Sequence, residues 1–420
     1  MKSFKGCAFL LMLGSGTVFG ADNLGAVIDD SKLSVLLRNA VFDRDFKHGV
    51  QDRREWGQAA IAKFTSGYTP GLIGVSADVF GMYAVRLDGG GGRTGSSSID
   101  MFKQDSSGNP ADDLARGGAA INVKVSKTII KYGDQMPEYP VLNYSNSRLL
   151  PETYTGVSVS SKEIAGLDLN AAHFTSEVRK GAEGHDSAGL NQIDLVGGTY
   201  SFSKNFQATA YRSWDKDFFE KTYGALLYTQ PLSKSSSLTM DLRGYHTALD
   251  NEFSARLGRG DENNIWSLSA TYKIEGHSFV LAYQKSSGSV GYPYGGNQSL
   301  GRPGDGGSTF LLANSFFSDF NAEDEVSWQI GYGYDFAAVG MPGLSYRFAY
   351  VKGENIYTPQ GDGDESELFN QIRYVVQDGG LKDLSFKVRS SIVRVSRNAA
   401  AYNVSANEVR VYLEYPINIF

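Results

Sequence analysis

Long segments of period-two alternation constrain this chain more than any other feature of its sequence. Apolar and polar side chains alternate through residues 266–273, 326–335 and 409–415, and similar segments recur from residue 32 to residue 420. Because successive side chains of a strand point to opposite faces, each segment has one apolar and one polar face. No window holds 18 consecutive apolar residues, so no transmembrane helix is expected. The pattern predicts an all-β protein.

Three features favour a membrane barrel over a soluble sandwich, whose strands would also alternate. The segments are near ten residues long, and aromatic residues such as Tyr83, Tyr272 and Tyr350 lie near segment ends on the apolar face. The connections alternate between short and long. Membrane-crossing strands of about this length, with aromatic girdles at both interfaces, are typical of outer-membrane barrels.

We predict an 18-stranded antiparallel transmembrane β-barrel with short periplasmic turns and long extracellular loops. The turn at 126–128 is placed there because one continuous strand would put Lys127 on the apolar face. An even number of strands is usual in bacterial outer-membrane barrels. The predicted strands are residues 32–41, 55–65, 72–87, 117–126, 128–133, 154–161, 166–175, 190–202, 205–214, 222–230, 237–247, 265–274, 278–286, 324–335, 343–351, 367–376, 383–395 and 406–420.

The first twenty residues have the pattern of a secretory signal peptide. Lys2 and Lys5 precede an apolar run at 8–13, and Val18 and Gly20 provide small-residue spacing for cleavage near residue 20. A short buried N-terminal helix is the alternative. We therefore predict a signal peptide at 1–20 and a single barrel domain at 21–420. The only cysteine, Cys7, would be removed with the signal, which excludes a disulfide scaffold.

Charge and motifs exclude several functional classes. The formal charge of −6 argues against a broadly basic nucleic-acid binder. The five histidines show neither i, i+4 pairing nor HExxH, and there is no G-x-S-x-G or P-loop motif. We therefore predict no metal, no cofactor and no catalytic residue. An outer-membrane barrel enzyme and a plugged structural barrel remain as alternatives from other classes.

The polar face of the predicted strands is rich in cations. One interpretation is the ordinary charged lining of a water-filled pore. The more specific interpretation is that several of these cations form an ordered track for anions. Arginine replaces the lost hydration of a carboxylate with two parallel hydrogen bonds, and several similar sites let an ion pass from one to the next. The cations are Arg38, Lys124, Lys131, Arg243, Lys273, Arg347, Arg373, Lys387, Arg389 and Arg410.

Two loops are too apolar for ordinary surface coil. Residues 134–153 carry three of the eleven prolines together with Val141 and Leu142. Residues 309–321 read TFLLANSFFSDFN. We expect both to fold into the barrel, the first of them narrowing the channel; a hydrophobic cap at the rim is the alternative.

Several stretches together resemble the OprD-type specific porins, the outer-membrane carboxylate channel family of Gram-negative bacteria. They are DDSKLSVLLRNAVFDRD, REWGQ, SGYTPGLIGVSADVFG, INVKVSKTIIKYGDQMPEYPV, SRLLPETYTGVSVSSKEIAGLDLNAAHF, LANSFFSDFN and VRVYLEYPINIF. The resemblance implies an eighteen-stranded channel, a monomer or loose trimer, with a third loop folded into the lumen and a constriction shared with the seventh loop. It also implies a ladder of basic residues along one wall.

Carried onto this chain, the resemblance assigns the third loop to 134–153, with Arg148 near its end, and the seventh loop to 287–323, with Asp305 and Asp319. Its candidate ladder residues are Arg38, Lys124, Lys131, Arg373, Arg389 and Arg410.

The resemblance further implies passive uptake of small carboxylate-containing solutes across the outer membrane of a Gram-negative bacterium. Among these we favour small cyclic or aromatic monocarboxylates. A porin selective for basic amino acids is the alternative within the family, in which Asp305 and Asp319 would supply the negative charge. The other expected partners are outer-membrane lipid, lipopolysaccharide and the outer-membrane assembly machinery.

Overall fold

A computed structural model describes residues 27–88, 99–104, 109–185, 190–258, 260–293 and 310–420. The predicted signal peptide and its cleavage site lie outside these residues, as does Asp305. The division into 1–20 and 21–420 therefore stays a prediction. No helix in the described ranges is long and apolar enough to cross a bilayer.

Within the described residues, strands are the dominant element. A short α-helix occupies Asn251–Leu257, and single 3-10 turns occupy Phe336–Val339, Gly379–Leu381 and Arg397–Ala399. The strands are β1 Lys32–Phe46, β2 Arg53–Thr65, β3 Ile73–Arg86, β4 Asp113–Val125, β5 Thr128–Gln135, β6 Glu138–Tyr139, β7 Leu142–Asn143, β8 Thr153–Ser161, β9 Leu167–Val178, β10 Ile193–Ser201, β11 Phe206–Asp215, β12 Phe219–Pro231, β13 Ser236–Leu249, β14 Glu262–Ile274, β15 His277–Gly288, β16 Val326–Asp335, β17 Leu344–Ile356, β18 Gly363–Val375, β19 Ser385–Val395 and β20 Ala406–Asn418.

Eighteen of these strands, all but β6 and β7, form one closed antiparallel sheet within the described chain. Each strand pairs with the next along the chain, and β1 pairs with β20 from Ser34 opposite Asn418 to Phe46 opposite Ala406. Closure leaves no unpaired sheet edge, which is the condition for a β-structure to sit in hydrocarbon. The predicted 18-stranded antiparallel barrel is confirmed.

The two faces of the strands follow the predicted alternation. On β16, Trp328 and Ile330 are 41% and 51% exposed, whereas Ser327 and Gln329 are 0% and 3% exposed. Polar side chains therefore point inward and apolar side chains point out. The predicted turn between the fourth and fifth strands is also confirmed: β4 ends at Val125 and β5 begins at Thr128.

Several strands extend further towards the long-loop end than predicted. β1 reaches Phe46 rather than residue 41, β12 begins at Phe219 rather than residue 222, and β17 ends at Ile356 rather than residue 351. Crossing hydrocarbon takes only about 9–11 residues, so these ends extend beyond the apolar band. Hydrogen bonds between paired strands hold them there, and the sequence loses its apolar alternation.

The predicted inward loop, residues 134–153, lies inside the barrel. The hydroxyl of Tyr245 on β13 donates to the carbonyl oxygen of Pro140 at 3.0 Å. Val141 and Leu142 are buried with Tyr154 and Phe174 in one apolar cluster. The alternative of a hydrophobic cap at the rim is therefore wrong for this loop.

The described part of the seventh loop also packs inside. Phe310 and Leu312 join the same apolar cluster as Leu142, and Phe320 is fully buried. Both apolar loops thus fill part of the interior and leave a narrowed lumen.

Candidate functional site: a constricted lumen with a cationic wall

Arg38 on β1 points inward and fastens the inward loop to the barrel. Its Nε donates to Glu414 Oε1 at 2.7 Å, and its Nη1 donates to Asn146 Oδ1 and to the carbonyl oxygen of Arg148, both at 2.8 Å. Only 4% of the residue is exposed. Its charge is therefore offset by a carboxylate, and its donors hold the loop against the wall.

Arg148, near the end of the inward loop, is fixed between backbone and an aromatic ring. Its Nε donates to the carbonyl oxygen of Ile99, and its guanidinium lies 5.3 Å from the ring centre of Phe42. Burial, followed by the nearby charges of Arg44 and Arg410, lowers the pKa of Arg148 to about 10. The side chain therefore keeps its positive charge at neutral pH.

Arg410 and Arg44 share one buried carboxylate. Arg410 Nε and Arg44 Nε each bond a different oxygen of Glu408, at 2.5 Å. The Arg410 guanidinium also lies 4.7 Å from the ring centre of Phe42. Two cations against one anion leave a net positive charge at this level of the lumen. Sequence reasoning missed Arg44, because the predicted first strand ended at residue 41, three residues before it.

Three further inward-pointing cations, on β18 and β19, form no ion pair with a described carboxylate. Arg389 is the Cα partner of Arg410, and Lys387 is the partner of Arg373. Arg389 and Lys387 form no hydrogen bond or ion pair with any described residue; they lie 5.1 Å and 4.2 Å from aromatic ring centres. Among the described residues, Arg373 donates to the hydroxyl of Ser385, at 3.3 Å. Their charges are therefore available to a solute.

On the other side of β1, strands β2, β4 and β5 carry three inward-pointing lysines. Lys131 on β5 pairs with Asp78 at 2.6 Å, and Lys124 on β4 lies 5.4 Å from the ring centre of Tyr68. Lys63 on β2 also points inward and contacts the inward loop. Sequence reasoning missed Lys63 because the inward face of β2 is apolar where it packs under that loop, which hides the alternation.

We call nine of the inward-pointing cations on β18, β19, β20, β1, β2, β4 and β5 the cationic wall. Arg44 and Arg38 are six residues apart on one strand, which corresponds to about 20 Å at about 3.4 Å per residue. Neighbouring strands are about 4.8 Å apart, so cations in register are close neighbours. The members of the cationic wall are Arg38, Arg44, Lys63, Lys124, Lys131, Arg373, Lys387, Arg389 and Arg410.

The seventh loop faces this wall and is fastened by buried glutamate. Glu367 on β18 accepts hydrogen bonds from the backbone N–H groups of Phe317 and Ser318, at 3.0 and 2.9 Å. The Asp319 carboxylate accepts a hydrogen bond from the Ser315 hydroxyl, and Gln284 donates to the Asp319 carbonyl oxygen at 2.8 Å. Asp319 is thus partly engaged within its own loop.

A closed barrel whose lumen is narrowed by two inward loops and lined by cations on one wall defines a channel-forming porin. Comparison with known proteins gives the family. The model for "outer membrane porin, OprD family" matches residues 25–419. The chain belongs to the OprD family of porins, and the family and the barrel together place it in the outer membrane of a Gram-negative bacterium.

Similar proteins include two curated relatives from pseudomonads. The chain is 36% identical to Porin D of Pseudomonas aeruginosa, with 100% of both chains covered. It is 31% identical to the porin-like protein GalP of Pseudomonas putida, with 93% of both covered.

Solved structures show the same similarity in three dimensions. Acinetobacter baumannii OccAB1 has a TM-score of 0.87 and 34% identity, covering 94% of this chain and 98% of that chain. Pseudomonas aeruginosa OpdK has a TM-score of 0.81 and 28% identity, covering 93% and 100%.

Proposed function

We propose that this porin admits small carboxylate-containing solutes by passive diffusion along the cationic wall, with small cyclic or aromatic monocarboxylates preferred. The observation that carries the proposal is the pair Arg389 and Lys387, two inward-pointing cations with no carboxylate partner among the described residues. The proposed solute path follows Arg38, Lys124, Lys131, Arg373, Arg389 and Arg410, with Arg148, Asp305 and Asp319 at the constriction.

The cationic wall contains two kinds of cation, those paired with carboxylates and those with donors free for a solute. Arg38 and Arg410 are buried and hydrogen-bonded to glutamates, so they chiefly fix the loops and the local potential. Arg389, Lys387 and Arg373 have donors free for a solute. A carboxylate that sheds water on entering the constriction gains charge-assisted hydrogen bonds from these groups. Several sites of similar strength let it move on instead of being trapped.

The proposed substrate preference rests on four described carboxylates of the lumen that are already engaged. Asp78, Glu408 and Glu414 are each in an ion pair, and Asp319 accepts a hydrogen bond within its own loop. A basic amino acid would need a carboxylate free to bind its positive end. Aromatic rings beside Arg389 and Lys387 offer a flat apolar surface to a ring-bearing anion. The structure of P. aeruginosa OpdK with vanillate, an aromatic monocarboxylate, supports the same preference.

Uptake into proteoliposomes tests the proposal. Purified protein should take up radiolabelled benzoate and cyclohexanecarboxylate faster than radiolabelled lysine. Unlabelled benzoate should reduce the uptake of both labelled carboxylates. Faster uptake of lysine would favour the basic-amino-acid alternative. Absence of any pore in planar bilayers would overturn the channel function itself.

A further inference from the structure

We infer that a polar recess beside the cationic wall is a second binding site, selective for monocarboxylates that carry a hydroxyl group. The inference rests on the proposed function and narrows its substrate class. The recess lies on the inward face of the five strands β13 to β17, under the start of the described part of the seventh loop. Its volume is about 220 Å³. This is several times the roughly 30 Å³ that one water occupies in the liquid, so a small organic acid has room to enter.

Arg347 on β17 gives the recess an uncompensated positive charge. It forms no hydrogen bond or ion pair with any described residue, and its guanidinium lies 5.1 Å from the ring centre of Phe316 and 6.0 Å from that of Phe369. Stacking of this kind fixes the plane of a guanidinium while leaving its N–H groups free. Arg347 is therefore arranged to receive a carboxylate.

Phe369 connects this recess to the proposed solute path. The ring of Phe369 also lies 5.1 Å from the Arg389 guanidinium. Arg347 and Arg389 are both Cα partners of Gln371, which lies between them on β18. An anion at Arg389 thus has a second cation within two strand spacings, about 10 Å.

The second cation of the recess, Arg243, is already neutralised. Asp241 accepts from Arg243 Nε at 2.8 Å and from Arg243 Nη2 at 2.7 Å, and Arg243 Nη1 donates to the carbonyl oxygen of Leu311 at 3.0 Å. Among the described residues that line the recess, the net charge is therefore that of Arg347 alone. A single positive charge matches a monocarboxylate better than a dicarboxylate.

Gln329 supplies the reason to expect a hydroxyl group on the solute. The residue lines the recess, is 3% exposed, and its side-chain oxygen has no hydrogen-bond partner among the described residues. A buried acceptor without a donor is costly, so a solute hydroxyl that donates to it is favoured. Ser269 and Thr271 on β14 add two further hydroxyl groups to the lining. A carboxylate at Arg347 and a hydroxyl at Gln329 would satisfy both ends of the recess.

The test compares two solutes that differ by one hydroxyl group. Initial uptake rates of radiolabelled 4-hydroxybenzoate and benzoate are measured in proteoliposomes for the wild type and the variants Gln329→Met and Arg347→Gln. One net hydrogen bond corresponds to about a two- to tenfold preference for 4-hydroxybenzoate in the wild type. Both variants should bring the ratio close to one. Gln207→Met, which changes a half-buried inward glutamine on β11, is the matched control and should keep the wild-type ratio.

The outcomes separate this inference from the proposed function. Rapid benzoate uptake with a wild-type ratio near one would overturn the recess and leave the carboxylate channel standing. A wild-type preference that persists in both variants would also overturn it, because the discrimination would then arise elsewhere. Uptake of neither solute would overturn both proposals.

Discussion

Replacing Arg389 with glutamine should lower carboxylate permeability about tenfold, since this residue presents its charge to the lumen and forms no direct ion pair with a described carboxylate. Glutamine retains a polar side chain of similar reach but loses the charge and the bidentate donor geometry. The guanidinium lies 5.1 Å from the ring centre of Phe369 and is not tied to either inward loop by any hydrogen bond in the described structure. The substitution should therefore change selectivity without moving the constriction.

The size of the effect follows from Coulomb's law in a wet lumen. Two unit charges 4 Å apart interact by about 1 kcal/mol in bulk water and about 4 kcal/mol at a protein surface. An interaction energy near the bulk-water limit, about 1.4 kcal/mol, corresponds to a tenfold change in permeability. The Debye length, over which a charge is felt in solution, is about 10 Å at 0.1 M salt and about 3 Å at 1 M. The loss of permeability should therefore be smaller at high salt.

Arg394 on the same strand provides the matched control. It has the opposite parity to Arg389 and donates to Asn407 Oδ1 at 3.0 Å, so it points away from the lumen. Benzoate uptake and zero-current potentials in planar bilayers would be measured for Arg389→Gln and Arg394→Gln at 0.1 M and 1 M salt. Equal behaviour of the two variants, or an Arg389→Gln channel with unchanged benzoate permeability, would show that Arg389 does not contribute to carboxylate passage.

Three further substitutions test the parts that position the wall. Arg410→Gln removes one of the two cations that bond Glu408 while Arg44 stays paired with it, so it should destabilise the barrel by about 1.5–3 kcal/mol in urea unfolding; an unchanged midpoint would contradict the buried pair. Glu367→Gln weakens two hydrogen bonds to the seventh loop and should increase single-channel current noise, whereas a quiet channel would argue against this anchor. Gly57→Val places a Cβ about 2.3 Å from Leu149 Cδ1, so it should displace the inward loop and alter conductance; wild-type conductance and stability would show that the loop adapts.

The barrel was predictable from sequence because lipid and water impose opposite chemistry on the two faces of every strand. On β20, Val409, Val411 and Leu413 alternate with Arg410 and Tyr412, and the structure places the two sets on opposite faces as expected. The same rule located Arg389 and Arg373 on the inward face. Strand ends were less predictable, since alternation fades where both faces meet water.

The composition of the site was harder to predict, because it depends on contacts distant in sequence. Glu408 bonds Arg44 across the closure of the barrel, 364 residues away along the chain. Pairing between the first and last strands sets that contact, and its register cannot be read from spacing alone. Arg38 was predicted as a ladder residue, but its donors also bind carbonyl groups of the inward loop, whose path no alternation describes.

In the proposed function, carboxylates cross this barrel along the cationic wall. The zero-current potential of the reconstituted channel in a gradient of sodium benzoate reports this selectivity. The wild type should pass benzoate in preference to sodium, and simultaneous replacement of Arg373, Lys387 and Arg389 by glutamine should abolish that preference. A wild-type channel selective for sodium, or a triple variant with undiminished preference for benzoate, would contradict the account.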